Sequence, residues 1–85
     1  MPKYSVYLTK TAIKNLDKLP DNIAEPIILS IKKLEDNPRP PGYRKLKGRD
    51  GYRIRVGNYR VLYDIIDKTL IIEIITICHR KNIYE

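Results

Sequence analysis

At 85 residues the chain has room for one small domain and no second core, so residues 1–85 are read as a single unit. Seventeen Lys and Arg against ten Asp and Glu give a net charge of +7 and an isoelectric point near 9.6, which directs attention to polyanions or an acidic protein as partners. One Cys excludes an internal disulfide, one His leaves no plausible metal site, and no apolar run has membrane-spanning length or the form of a signal peptide; the cytoplasm is the expected compartment.

The first predicted element is a strand over Tyr4–Leu8, which alternates weakly and is rich in β-formers. Thr9 or Thr11 can cap a helix with apolar positions Ala12, Ile13, Leu16 and Leu19, closed by Pro20 and Asp21. A second helix is expected from Asn22, where Asn22-x-x-Glu25 resembles a capping box. Its apolar stripe is Ile23, Ile27, Ile31 and Leu34, widened by Ile28, and Pro26 suits only the first turn, where backbone donors have no partner to lose. These helices form a hairpin whose apolar face covers the core and whose outer side is open to a partner segment.

Asn37-Pro38-Arg39-Pro40-Pro41-Gly42 is a loop by composition. The run that follows, Tyr43 to Asp50, is strongly basic. Between Arg39 and Arg60 there are eight basic residues and one acid, Asp50, whereas residues 1–38 are close to balanced; the excess charge is local.

Gly51 to Tyr63 carries two alternating runs around Gly57-Asn58, a pair suited to a two-residue type II′ turn. Val56 then faces Tyr59, Arg55 faces Arg60, Ile54 faces Val61, Arg53 faces Leu62 and Tyr52 faces Tyr63. One face of the hairpin reads Tyr52, Ile54, Val56, Tyr59, Val61, Tyr63, and the other carries Arg53, Arg55 and Arg60, expected to be exposed. A basic face is ordinarily solvated surface. Like charges placed directly opposite each other destabilise a hairpin, however, and the Arg55–Arg60 pair favours a site built to meet an anion.

Tyr59–Ile66 forms the second hairpin strand, and Asp67-Lys68 turns into a last strand, Thr69–Ile77, apolar on both faces as a central strand should be. A two-residue turn there puts Glu73 opposite Leu62 and diagonal to Arg60. Strict alternation would carry Arg80 to the core face, so the strand is expected to end or bulge near Cys78. The resulting architecture is α+β: β-α-α-β-β-β, an antiparallel sheet with an N-terminal helical hairpin packed on one face.

Reactive groups are few. Ser5 and Ser30 have no nearby His, Cys78-His79 are neighbours in sequence rather than an arranged pair, and the glycines belong to turns instead of a phosphate loop. What remains is Arg, Lys, Tyr and His79. Guanidinium forks bind phosphate bidentately at any working pH and can stabilise the added charge of a pentavalent phosphorane. RNA supplies its own nucleophile, the 2′-OH. Tyr84 is the candidate for stacking on a base and moving a proton, its pKa lowered by nearby cations; a frayed terminus is the alternative. His79 is read as a substrate contact or structural donor rather than the base, and Tyr52, Tyr59 and Tyr63 as core or rim aromatics.

Leu46-Lys47-Gly48, the run Tyr52 to Tyr63, and Cys78-His79-Arg80-x-x-x-Tyr84 together resemble the RelE/ParE superfamily of type II toxin–antitoxin toxins, over nearly the whole chain. The resemblance implies a microbial-ribonuclease-like fold and a metal-independent, cofactor-free mRNA interferase that cuts codons in the ribosomal A site, neutralised by a cognate acidic, RelB-like antitoxin. By position it implies a catalytic set of Arg53, Arg55, Arg60, Arg80 and Tyr84. Lys45, Lys47, Arg49, His79 and Lys81 become candidates for RNA or ribosome contact. Both first-strand positions are Arg where the best-known member has Lys, so a proton-transfer role for Lys does not transfer. A ParE-like inhibitor of DNA gyrase is the competing expectation.

Overall fold

The computed structural model describes residues 3–79 and 81. Its centre is the predicted hairpin. Tyr52–Val56 (β3) and Tyr59–Ile66 (β4) pair antiparallel in the expected register, and Gly57 has φ of 60° while Asn58 does not adopt positive φ, which is the type II′ pattern. A Cβ at Gly57 would meet nothing within 4 Å, so substitution there is opposed by backbone conformation alone. Gly57→Ala is expected to cost about 1–2 kcal/mol, read as a lower urea midpoint with an unchanged m-value.

Two further strands and one short rim strand complete a five-stranded sheet in the order β1-β5-β4-β3-β2, with Ser5–Leu8 as β1, Arg44–Lys45 as β2 and Ile71–His79 as β5. The sheet is antiparallel except at one edge, where β1 runs parallel to β5 (Ser5 beside Ile71, Leu8 beside Ile74). The α+β architecture with a helical hairpin on one face is therefore as expected, with the parallel edge and β2 added to it.

Lys10–Asp17 (α1) is capped by Thr9, whose Oγ1 accepts from Ala12 N–H at 3.1 Å. Asp21–Lys33 (α2) begins two residues earlier than a box at Asn22 requires; Pro20 is the N-cap and no side chain caps the helix. Pro26 consequently lies in the second turn, where it forfeits the bond to the Asn22 carbonyl. Both helices pack on one face of the sheet over a core of Ala12, Ile27, Ile31, Leu34, Ile54, Val61, Tyr63, Ile72, Ile74 and Ile77. Ile13 and Ile28 are not part of it. They lie exposed on the outer side, with Leu29.

The β4–β5 connection departs from expectation twice. Residues 67–70 form a four-residue turn, closed by Leu70 at φ of 56°, so Ile66 pairs with Ile71 and Glu73 lies opposite Asp64. Arg60 is four residues along β4, about 13 Å at the usual rise per residue. Further on, Tyr63 pairs with Ile74 but Leu62 with Thr76, leaving Ile75 as a bulge. The bulge thus falls at Ile75 instead of near Cys78. Helix α1 holds it in place: Thr9 hydroxyl donates to the Ile75 carbonyl at 2.6 Å, and Asn15 Oδ1 accepts from Thr76 hydroxyl at 3.0 Å and Ile77 N–H at 2.9 Å. One extra residue flips the alternation, returning Ile77 to the core and bringing Cys78 to the face opposite the helices.

Candidate functional site: an arginine face

Residues directly opposite each other in a sheet share a face, so the register assembles the site. One cross-strand row reads Arg44, Arg53, Leu62, Thr76, and the next reads Arg55, Arg60, Cys78. Four guanidiniums from three strands therefore start from the surface turned away from the helices. In a two-residue hairpin Val56 and Tyr59 form the first hydrogen-bonded pair, which makes Arg55–Arg60 the closer kind of pair, with Cα atoms about 4.5 Å apart.

Their environments differ. Arg53, expected to be exposed, is buried at 7 % exposure, while Arg55 is open and Arg60 half-buried. The register explains it: Arg53 is flanked by β2 on one side and by buried Leu62 of β4 on the other, whereas Arg55 lies beyond the end of β2 on the rim of the sheet. Arg53 thus underlies the patch, and Arg55 and Arg60 present it. Arg49 joins them. The guanidiniums of Arg60 and Arg49 both draw the Cys78 thiol pKa down, yet burial outweighs them and the net shift is upward, so Cys78 is held as a thiol.

The other expected contacts divide. Lys45 and Lys47 are exposed beside the patch and line one cavity with Arg44 and Arg53. His79 is elsewhere: it lies opposite Tyr59, its ring edge-on to that tyrosine at 5.3 Å, on the helix side of the sheet. Lys81 is exposed and donates its backbone N–H to His79 Nδ1 at 3.3 Å. Arg80 and Tyr84 lie outside the described residues.

Inspection of residues alone missed the part played by the segment from Pro38 to Arg44. Tyr63, fully buried, donates its hydroxyl to the Pro38 carbonyl at 2.7 Å, and burial pushes its pKa up to about 12. Arg39 forms a fork on Asp67, with Nη2 to Oδ2 at 2.9 Å, and its guanidinium lies 5.6 Å over the Tyr52 ring. Tyr4 hydroxyl donates to the same carboxylate at 2.6 Å. The Arg39 fork first, then the Tyr4 hydroxyl, holds Asp67 below its ordinary value. Pinned at both points, the loop delivers Arg44 to β2. Only the strand pairing reveals Arg44 as a member of the arginine rows; the signal in the sequence was its place within the basic run.

A cavity of 480 Å³ opens where β2 stops, lined by Lys33 of α2, by Pro40 and Pro41, and by Arg44, Arg53 and Arg55. A second, of 680 Å³, lies along Arg39, Tyr43, Arg44, Lys45, Lys47 and Tyr52. Among the described residues no group of three or more His, Cys, Asp or Glu is placed to hold a metal ion. The chemistry on offer is anion binding by fixed positive charge.

Residues 6–84 match the family model of the ParE toxin of the type II toxin–antitoxin system parDE. Toxin RelE3 of Methanocaldococcus jannaschii is 35% identical over 85 residues, covering 94% of each chain. Among solved structures, the archaeal RelE–RelB complex of Pyrococcus horikoshii superimposes with a TM-score of 0.82 at 31% identity, over 94% of this chain and 98% of that one. The toxin–antitoxin complex RelBE2 of Mycobacterium tuberculosis gives 0.80 at 31% identity, over 94% and 100%.

Proposed function

Since the chain belongs to the RelE/ParE superfamily of type II toxin–antitoxin toxins, we propose that it is a ribosome-dependent endoribonuclease that cuts mRNA in the A site and so arrests translation in the cytoplasm. The observation that carries this is the Arg55–Arg60 pair, opposed on one face with Cys78 beside it. A scissile phosphate there meets two guanidinium forks. The 2′-OH of the preceding ribose attacks phosphorus, the phosphorane gains negative charge that Arg60 and Arg55 stabilise, and the 5′-oxygen leaves. The products are a 2′,3′-cyclic phosphate and a 5′-hydroxyl. Tyr84 moves a proton and Arg80 adds a third fork, while Arg53 supports the others from beneath. With the nucleophile supplied by RNA and the charge by arginine, the chemistry requires no metal.

The partner that restrains it is an acidic, RelB-like antitoxin. The exposed Ile13, Ile28 and Leu29 of the helical hairpin offer it an apolar seat, and the net charge of +7 a complementary field. A second reading, inhibition of DNA gyrase, is supported by the ParE description of the matching family.

Primer extension on mRNA in a translation extract decides between them. In-frame cuts that require ribosomes are expected, and Tyr84→Phe should slow them by on the order of a hundredfold, as loss of a general acid–base does. A protein that cuts nothing yet blocks DNA supercoiling belongs to the second reading.

A further inference from the structure

We propose that the rim of the sheet at Tyr43 and Arg44 is a second nucleotide subsite, in which the Tyr43 ring stacks on a base and Arg44 binds the phosphate joining that nucleotide to the scissile one. The inference rests on the RNA-cutting function above and names where the flanking RNA is held. Pro40 to Tyr43 form a type II turn: Tyr43 N–H donates to the Pro40 carbonyl at 3.0 Å, Pro41 occupies the position that favours fixed φ, and Gly42 has φ of 90°. This rigid turn presents a tyrosine that is 38 % exposed among cations. Its ring is rooted in the protein by a ladder, Tyr43 to Tyr52 at 6.0 Å and Tyr52 to fully buried Tyr63 at 6.0 Å. The ring packs against an aromatic neighbour and lines a basic cavity.

Exposed aromatics interleaved with cations bind single-stranded nucleic acid, because every base has a stackable face. Arg44 lines both cavities at the rim. It lies one strand across and two residues along from Arg55, about 8 Å by strand spacing and rise. That step is comparable to the separation of neighbouring phosphates in an extended strand. A strand of RNA can thus pass over the rim from Tyr43, past Arg44, to the Arg55–Arg60 pair.

The test uses the full chain and a fluorescent 2′-O-methyl RNA hexanucleotide, which cannot be cut, titrated by anisotropy over a salt series. Tyr43→Ala is expected to weaken binding about tenfold and Tyr43→Phe to restore it. Arg44→Gln should lower the slope of log affinity against log salt by about 0.7, the value for one phosphate on a single strand. On ribosomes, Tyr43→Ala should raise KM and leave kcat unchanged. Parental RNA affinity in Tyr43→Ala and Arg44→Gln overturns the subsite, as does a loss confined to an acidic antitoxin peptide. Parental KM in Tyr43→Ala also overturns it while leaving the nuclease function standing. Tyrosine-dependent RNA binding by a protein that never cuts mRNA supports the subsite and removes the nuclease function.

Discussion

Arg60→Ala is expected to slow ribosome-dependent mRNA cutting by on the order of 10²–10³-fold, the usual consequence of removing one preorganised donor from developing transition-state charge. Folding should survive the change. Arg60 lies opposite Arg55 on the face away from the helices and outside the apolar core, so the variant should still unfold in one cooperative thermal transition. Antitoxin affinity should also hold, since the apolar seat proposed for it lies on the helices across the sheet. Arg60→Lys keeps the charge but loses the planar fork, and should retain only part of the rate. Primer extension against a toxin titration, with thermal unfolding of each variant, checks all of this. Unimpaired cutting by Arg60→Ala would remove the arginine pair from the chemistry.

The second large effect concerns stability. Tyr63 is fully buried and its hydroxyl holds Pro38, so Tyr63→Ala removes a core ring and the tether of the loop together. Large-to-small aromatic changes cost about 3–5 kcal/mol. A domain of this length has about 4–13 kcal/mol in total on per-residue averages. The variant is therefore expected to be partly or wholly unfolded at 37 °C, a standard assay temperature, while Tyr63→Phe loses about 1–2 kcal/mol from the unmade bond to Pro38.

The pH dependence follows from the sign of the Tyr63 shift. Burial favours the neutral phenol in the folded state and raises its pKa to about 12. Its contribution is complete below the ordinary tyrosine value and is lost as pH rises from there towards 12. Urea midpoints measured across that window should fall for the parent and fall less for Tyr63→Phe.

Much of the site could be read from residue order because it depends on short-range geometry. Gly57-Asn58 sets the turn, and a two-residue turn determines every pairing in the hairpin, including Arg55 with Arg60. A threonine cap at Thr9 or Thr11, which the structure resolves as Thr9, and Ile27, Ile31 and Leu34 as a core stripe are equally local. Legibility failed where distant segments decide the outcome. The bulge at Ile75 is held by Thr9 and Asn15, more than 60 residues away in sequence, and no local pattern announces it. Strand β2 has only two residues and is basic, so it carries no alternation to detect. Without β2 the burial of Arg53 and the place of Arg44 could not be seen, because both depend on which strand lies beside β3.

The pairing of β1 with β5 has a bearing on how the chain acquires its shape. β1 lies against β5, the strand farthest from it in sequence within the sheet, and β5 also pairs with the edge of β4 that β3 leaves open. Such a topology has high contact order, and its sheet cannot close while β5 is still being synthesised. Native structure must therefore follow translation through His79, so the arginine face is assembled only once β5 has been added to the four strands that precede it.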